Sequence, residues 1–126
     1  MAMKLHMVQL GTPRKRGEGL RIGAVRFLPR GVRKQDYAKL DVFDVWLPVV
    51  APSRSLVNRL RKSNLAWDKF VAAYRREMAK TDARQAIELI ARVAQHTPVS
   101  VGCYCEDPRH CHRSVLEKLI RQAGRR

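Results

Sequence analysis

Apolar positions along this chain change rhythm twice. The early part alternates. Lys4 to Leu10, Leu20 to Phe27 (around Ile22, Ala24 and Val25) and Asp41 to Leu47 (Val42, Phe43, Val45, Trp46) predict three strands. Gly11 to Gly19, with Pro13 and Gly17, reads as a turn or exposed loop, Pro29-Arg30-Gly31 ends the second strand, and Pro48 ends the third. From Ser53 to Gln95 the period lengthens to that of a helix. Leu56, Val57 and Leu60 mark one helix behind a Ser53 cap. Trp67, Phe70, Val71, Tyr74 and Met78 mark a second, with Asn64 as its cap. Ala86, Ile87, Ile90, Ala91 and Ala94 mark a third, capped by Thr81 or Asp82. Val99 to Cys103 returns to strand character, and a run through Val115 and Ile120 predicts a closing helix to about Gln122.

Strands first, helices in the middle and a final strand–helix unit predict an α/β domain. The expected architecture is a small layered fold, a short, mostly parallel or mixed sheet with helices packed around it. Residues 1–126 read as one domain, with 1–3 and 123–126 as frayed ends. No repeat, low-complexity tract or linker interrupts it. No apolar run approaches the ~20 residues of a membrane span, and Met1 to Leu10 is too short and mixed for a signal peptide. Three clustered cysteines without an export signal lead us to expect a reducing, cytoplasmic setting and no membrane partner.

Charge then narrows the partners. Lys and Arg total 26 against 11 Asp and Glu, a formal net charge of +15. Such a surface attracts polyanions, so weak, salt-sensitive and sequence-independent nucleic-acid affinity is expected. No helix-turn-helix, zinc-finger repeat or RNP signature is present. The bland alternative is a surface that is simply basic.

Every cysteine falls in one ten-residue stretch, Cys103-Tyr104-Cys105-Glu106-Asp107-Pro108-Arg109-His110-Cys111-His112, between the last strand and the last helix. Open α/β sheets place their chemistry at such strand-to-helix bends. If the strand continues, Cys103 and Cys105 share a face. Helical spacing puts His112 on one stripe with Val115, Leu116 and Leu119, Cys111 at its border and Arg113 more outward. Asp107-Pro108 reads as N-cap and N1, or as a turn before a helix starting at Cys111.

Three chemistries fit. A thiolate of Cys103, Cys105 or Cys111 could act as nucleophile or redox group, activated by Arg109, Arg113 and the helix N-terminus. The Cys103–Arg109 spacing matches anion loops, although Glu106 and Asp107 oppose an anion there. Alternatively, Cys103, Cys105, Cys111 and His112 supply a zinc-type donor set, with His110 as a substitute for His112. Zinc is the metal such a set suits, and no other cofactor is expected. Third, His112 with Arg26 or Arg30 could bind an anion or move a proton, with Arg109, Arg113 and Ser114 as further anion-binding candidates. The plain structural reading is buried cysteines, a core histidine bonded to a backbone carbonyl, and structural arginines. His6 and His96 read as structural, Trp46, Trp67, Phe70 and Tyr74 as core, and Arg14-Lys15-Arg16 as a solvated run.

Read in order, further segments resemble one family. Val25-Arg26-Phe27-Leu28-Pro29-Arg30-Gly31-Val32-Arg33-Lys34 resembles its "VDRLWPRGxxK" box. Trp46 with Ala51-Pro52-Ser53 and Leu56 resembles "W…APSxxL", and Trp67, Phe70 and Tyr74 resemble "WxxFxxxY". Cys103 to Leu116 resembles the closing "CxCxxxxxCHRxxL" of the wider group. This is the YeaO-like branch of domain-of-unknown-function family 488, and the resemblance runs from about Lys4 to Ile120. It implies a compact α/β domain and no established activity. Val25 stands where the box has its acid and Leu28 where it has tryptophan. Many YeaO-like members also lack the cysteines and keep mainly the histidine matching His112. The resemblance therefore carries over Arg26, Arg30 and His112 more firmly than the thiols.

Together these readings predict that the late thiol-rich bend and the early guanidinium groups line one hollow. It would recognise an anionic ligand, either a nucleotide or nucleic acid. The alternatives are a basic nucleic-acid-binding module with a structural, zinc-bound cysteine loop, and a thiol enzyme acting on a phosphate- or sulfur-containing small molecule.

Overall fold

The strand that comes last in sequence sits inside the sheet. In the computed structural model, which describes residues 3–105 and 111–125, the strands are β1 (Leu5–Gln9), β2 (Leu20–Gly23), β3 (Val45–Trp46) and β4 (Val99–Cys103). Their spatial order is β1-β4-β2-β3 and every pairing is parallel. Leu5 pairs with Val99 and Gln9 with Cys103 on one side of β4, and Leu20 pairs with Val99 on the other. All carboxyl ends of the strands therefore point the same way. Parallel strands need long returns. The longest holds α1 (Arg54–Lys62), α2 (Trp67–Met78) and α3 (Thr81–His96), and α4 (His112–Gly124) follows β4.

The two faces of the sheet are built differently. Leu5, Ile22, Val99 and Val101 point into the helical layer and pack with Phe70, Tyr74, Ile87, Ile90, Leu116 and Ile120. The reverse face carries Arg21 and Ser100, both buried, and is covered by the β1–β2 and β2–β3 connections. A Cβ on Gly23 would run into the Phe43 ring, so this position needs glycine for close packing. Arg21 is 1% exposed and donates to Thr12 O (2.9 Å), Asp41 O (2.6 Å) and the Glu18 carboxylate (3.0 Å). Its backbone N–H reaches Asp44 (2.9 Å), which Arg14 also holds (2.8 Å). Arg14 is thus tied into an ion network rather than solvated.

Local physics corrects several boundaries read from the sequence. The α/β class stands, and the sheet is parallel rather than mixed. The third strand shrinks to two residues. Val42 and Phe43 are buried in a bend, where Asp41 takes a left-handed φ of 59° and Tyr37 packs edge-on to Phe43 at 5.0 Å. Ser53 caps α1 as expected, its Oγ accepting from Leu56 N at 3.1 Å. Asn64 does not cap α2: it has a φ of 49° in the preceding turn, and Ala66 is the N-cap. Lys80 takes the N-cap position of α3, so Thr81 is its first residue. α4 continues to Gly124, whose carbonyl accepts from Gln95 Nε2 at 2.9 Å. Trp46 is not core. It is 40% exposed and donates from Nε1 to Val25 O at 2.7 Å. No helix among the described residues is long and apolar enough to cross a membrane.

Candidate functional site

The site region grows from the carboxyl ends of β2 and β4 and the first turn of α4. β4 stops at Cys103, which is buried at 1% exposure. Cys111, also 1% exposed, is the N-cap residue of α4. Their sulfurs meet at disulfide distance across 7.8 Å of Cα separation. Both lie in a small apolar cluster with Leu10, Val25, Val42 and Phe43. The strand cysteine and the helix cysteine thus converge in this pair. Cys105 departs from expectation: the strand has ended, and Cys105 is exposed rather than sharing a face with Cys103. Arg109, His110 and the Asp107-Pro108 cap lie outside the described residues.

His112 opens α4 and turns inward. Its Nε2 lies 2.6 Å from Ala24 O, and its ring packs edge-on to Tyr74 at 5.6 Å. A carbonyl can only accept, so Nε2 carries the hydrogen and Nδ1 keeps a free lone pair. That Nδ1 faces Cys111 Sγ at 4.0 Å. Burial pushes the His112 pKa down to about 4, outweighing the Ala24 bond, and the Arg113 charge pushes the same way. The imidazole is neutral at pH 7. Cys103, Cys111 and His112 form the one group among the described residues whose donor atoms lie close enough together to hold a metal, all within 4.8 Å.

The arginines divide. Arg26 donates to Pro52 O and Pro48 O, each at 3.0 Å, so it pins the turn before α1 as well as lining the cleft described below. Arg30 is exposed on the rim of the same cleft. Arg113 does not point outward: it is 5% exposed, because it folds under the cysteine bend to donate to Cys105 O at 2.9 Å. Burial disfavours its charge while Cys105 favours it, and its Nε has no hydrogen-bond partner among the described residues. Ser114 is spent locally, donating to Cys111 O at 2.9 Å within the first turn.

A cleft of about 960 Å³ joins these parts at the carboxyl ends of the strands. Cys103, Cys105, Cys111 and His112 line it together with Arg26 and Arg30, so the late bend and the early basic segment do border one hollow. Among the described residues its lining also includes Arg61 and Lys62 but no carboxylate. Arg30, Arg61 and Lys62 are exposed and have no ion-pair partner among the described residues. Phe27, Trp67 and Tyr104 add aromatic surface. Tyr104 donates to Phe27 O at 3.2 Å, and burial, with Tyr37 nearby, pushes its hydroxyl up to about 12. Sequence reasoning missed Arg61 and Lys62. They sit in the last turn of α1, and only the packing of that helix beside β2's exit brings them here. Trp67, expected in the core, is only partly buried against it. It stacks on Phe70 at 5.0 Å and lines the cleft as well.

A parallel α/β domain with a basic, thiol-bearing cleft at its strand ends is the class that fold and geometry define. The chain belongs to the DUF488-N3a family, described as the active DUF488-N3 subclade, whose family model matches residues 5–124. No curated protein and no solved structure gave a significant match.

Proposed function

We propose that the cleft binds an anionic ligand, a nucleotide or a stretch of single-stranded nucleic acid. One observation carries this reading. Four cationic side chains border a 960 Å³ hollow whose described lining holds no acid, and none of the four has an ion-pair partner among the described residues. Like charges gathered without counter-charges repel one another, and an incoming phosphate relieves that repulsion. Arg30 and Arg61 offer planar forks for phosphate, while Phe27, Trp67 and Tyr104 offer faces on which a base can stack. The +15 charge of the whole chain adds long-range attraction.

The test is fluorescence anisotropy with a labelled single-stranded oligonucleotide and a labelled mononucleotide, each across a salt series. Binding with a steep log–log salt slope supports the reading. Tight oligonucleotide binding with no mononucleotide binding would select nucleic acid over the small ligand. Absence of both at low salt would remove the proposal.

A second reading is thiol chemistry at Cys111. The bare Nδ1 of His112 lies 4.0 Å from Cys111 Sγ, within reach of its thiol, and the family is described as an active subclade. One fast-labelling cysteine in a thiol titration, absent in Cys111→Ser, would favour it. Uniformly slow labelling would count against it.

A further inference from the structure

We propose that Cys103, Cys111 and His112 form a zinc-binding centre whose fourth position opens to the basic cleft. Two sulfurs held this close have two fates, a covalent bond to each other or a shared ion. Backbone geometry favours the ion. The 7.8 Å Cα separation exceeds the span of about 4.4–6.8 Å usual for a disulfide. It suits two thiolates reaching toward one ion from opposite banks, β4 on one side and the start of α4 on the other.

The third donor is already oriented. Ala24 O takes the Nε2 hydrogen at 2.6 Å, which fixes the tautomer and leaves Nδ1 bare on the side of Cys111. A backbone carbonyl holding the far nitrogen of an imidazole is the usual outer support of a metal-binding histidine. Ala24 follows the end of β2, and Cys103 ends β4, its neighbour in the sheet, so hydrogen-bonded backbone fixes two of the three attachments. Two thiolates and an imidazole are soft and borderline donors of the kind tetrahedral zinc takes.

Cys105 is not part of this set. It is exposed and absent from the group whose donor atoms converge, which revises the four-residue set suggested by sequence. Three protein donors leave a tetrahedral ion one position. Because Cys103, Cys111 and His112 all line the cleft, that position is supplied from the cleft, by water or by an oxygen of a bound phosphate. The phosphate part deepens the anion reading and rests on it. The metal part stands without it.

Cobalt(II) is the probe. Reduced, untagged protein should take up about one cobalt ion per chain, with the visible absorption of a tetrahedral thiolate site, and zinc should displace it. Cys103→Ser, Cys111→Ser and His112→Asn should each lose the signal, and Cys105→Ser should keep it. Where a variant does not fold, wild-type protein still decides. Zinc should protect Cys103 and Cys111, but not Cys105, from alkylation read by mass spectrometry. The metal proposal is overturned by folded, reduced protein without a cobalt signal, by loss of the signal in Cys105→Ser, or by a Cys103–Cys111 disulfide in protein trapped with a thiol blocker at lysis. Inorganic phosphate should shift the cobalt spectrum. If the spectrum stays fixed while phosphate still competes for oligonucleotide binding, the open position is refuted and the cleft reading survives. If phosphate neither shifts the spectrum nor competes, both fail.

Discussion

Two arginine-rich regions of this molecule use the same side chain in opposite ways. On the reverse face of the sheet, Arg21 and Arg14 are matched by Glu18, Asp41 and Asp44. At the strand ends, Arg30, Arg61 and Lys62 face a cleft with no described acid. The first arrangement is closed. Arg21 spends its guanidinium on two backbone carbonyls and a carboxylate, and lashes the β1–β2 loop and the segment before β3 to β2. The second arrangement is open, and its charge is available to something else. A basic composition alone does not reveal which arginines are paired within the fold and which are not; the location of the acids does.

The comparison can be broken most severely at Arg21. Arg21→Met leaves Glu18 buried without its cation and should cost about 3–5 kcal/mol in urea unfolding. Adding Glu18→Gln should recover a measurable part, which a double-mutant cycle reads directly. Stability lost equally in single and double variants would show that the ion pair is not the binding element.

Acid should act on the closed region next. Hydrogen bonding and charge from Arg14, with help from the Arg21 N–H, hold Asp44 below its ordinary range despite burial. Burial works to raise Glu18, but the Lys15 N–H and Arg21 outweigh it. Below the ordinary carboxylate range the unfolded chain binds more protons than the folded one. The stability contributed by these carboxylates is therefore complete above that range and is lost as pH falls through it toward the folded values. Asp44→Asn should flatten this acid limb in a thermal-melt series, and an unchanged limb would exclude Asp44 from it.

The open region should respond in binding and not in stability. Arg30→Ala with Arg61→Ala should weaken oligonucleotide binding roughly tenfold and reduce the salt slope by about 2, while unfolding moves by less than ~0.5 kcal/mol per site. A large loss of stability would move these residues to the structural class. Smallest of all is the exposed helical pair Arg84–Glu88, 3.8 Å apart. Glu88→Gln should change stability by no more than ~0.5 kcal/mol and leave binding unaltered.

The sequence carried the elements whose signals are local. Helical spacing located α2 and α3, and the Ser53 cap and the strand Val99–Cys103 were legible because each depends on near neighbours. Alternation misled at Val42 and Phe43. They are apolar because they plug the reverse face above Gly23, and burial there requires no strand. The juxtaposition of Arg26, Arg30 and the cysteine bend was legible through the resemblance and the strand-end rule. Arg61 and Lys62 were not, since a surface helix rich in cations looks alike whether it faces water or a cleft. Helical phase predicts an outward Arg113 because it ignores a side chain that turns back to meet Cys105 O.

Strand order also dictates when this protein can become itself. β1 and β2 never touch; β4 lies between them, and it follows three helices in the chain. A chain ending before Val99 lacks the strand that both β1 and β2 pair with, so its sheet cannot close. The arriving segment also delivers Cys103, and with it the far wall of the cleft. The strand that completes the sheet thus also supplies one wall of the cleft.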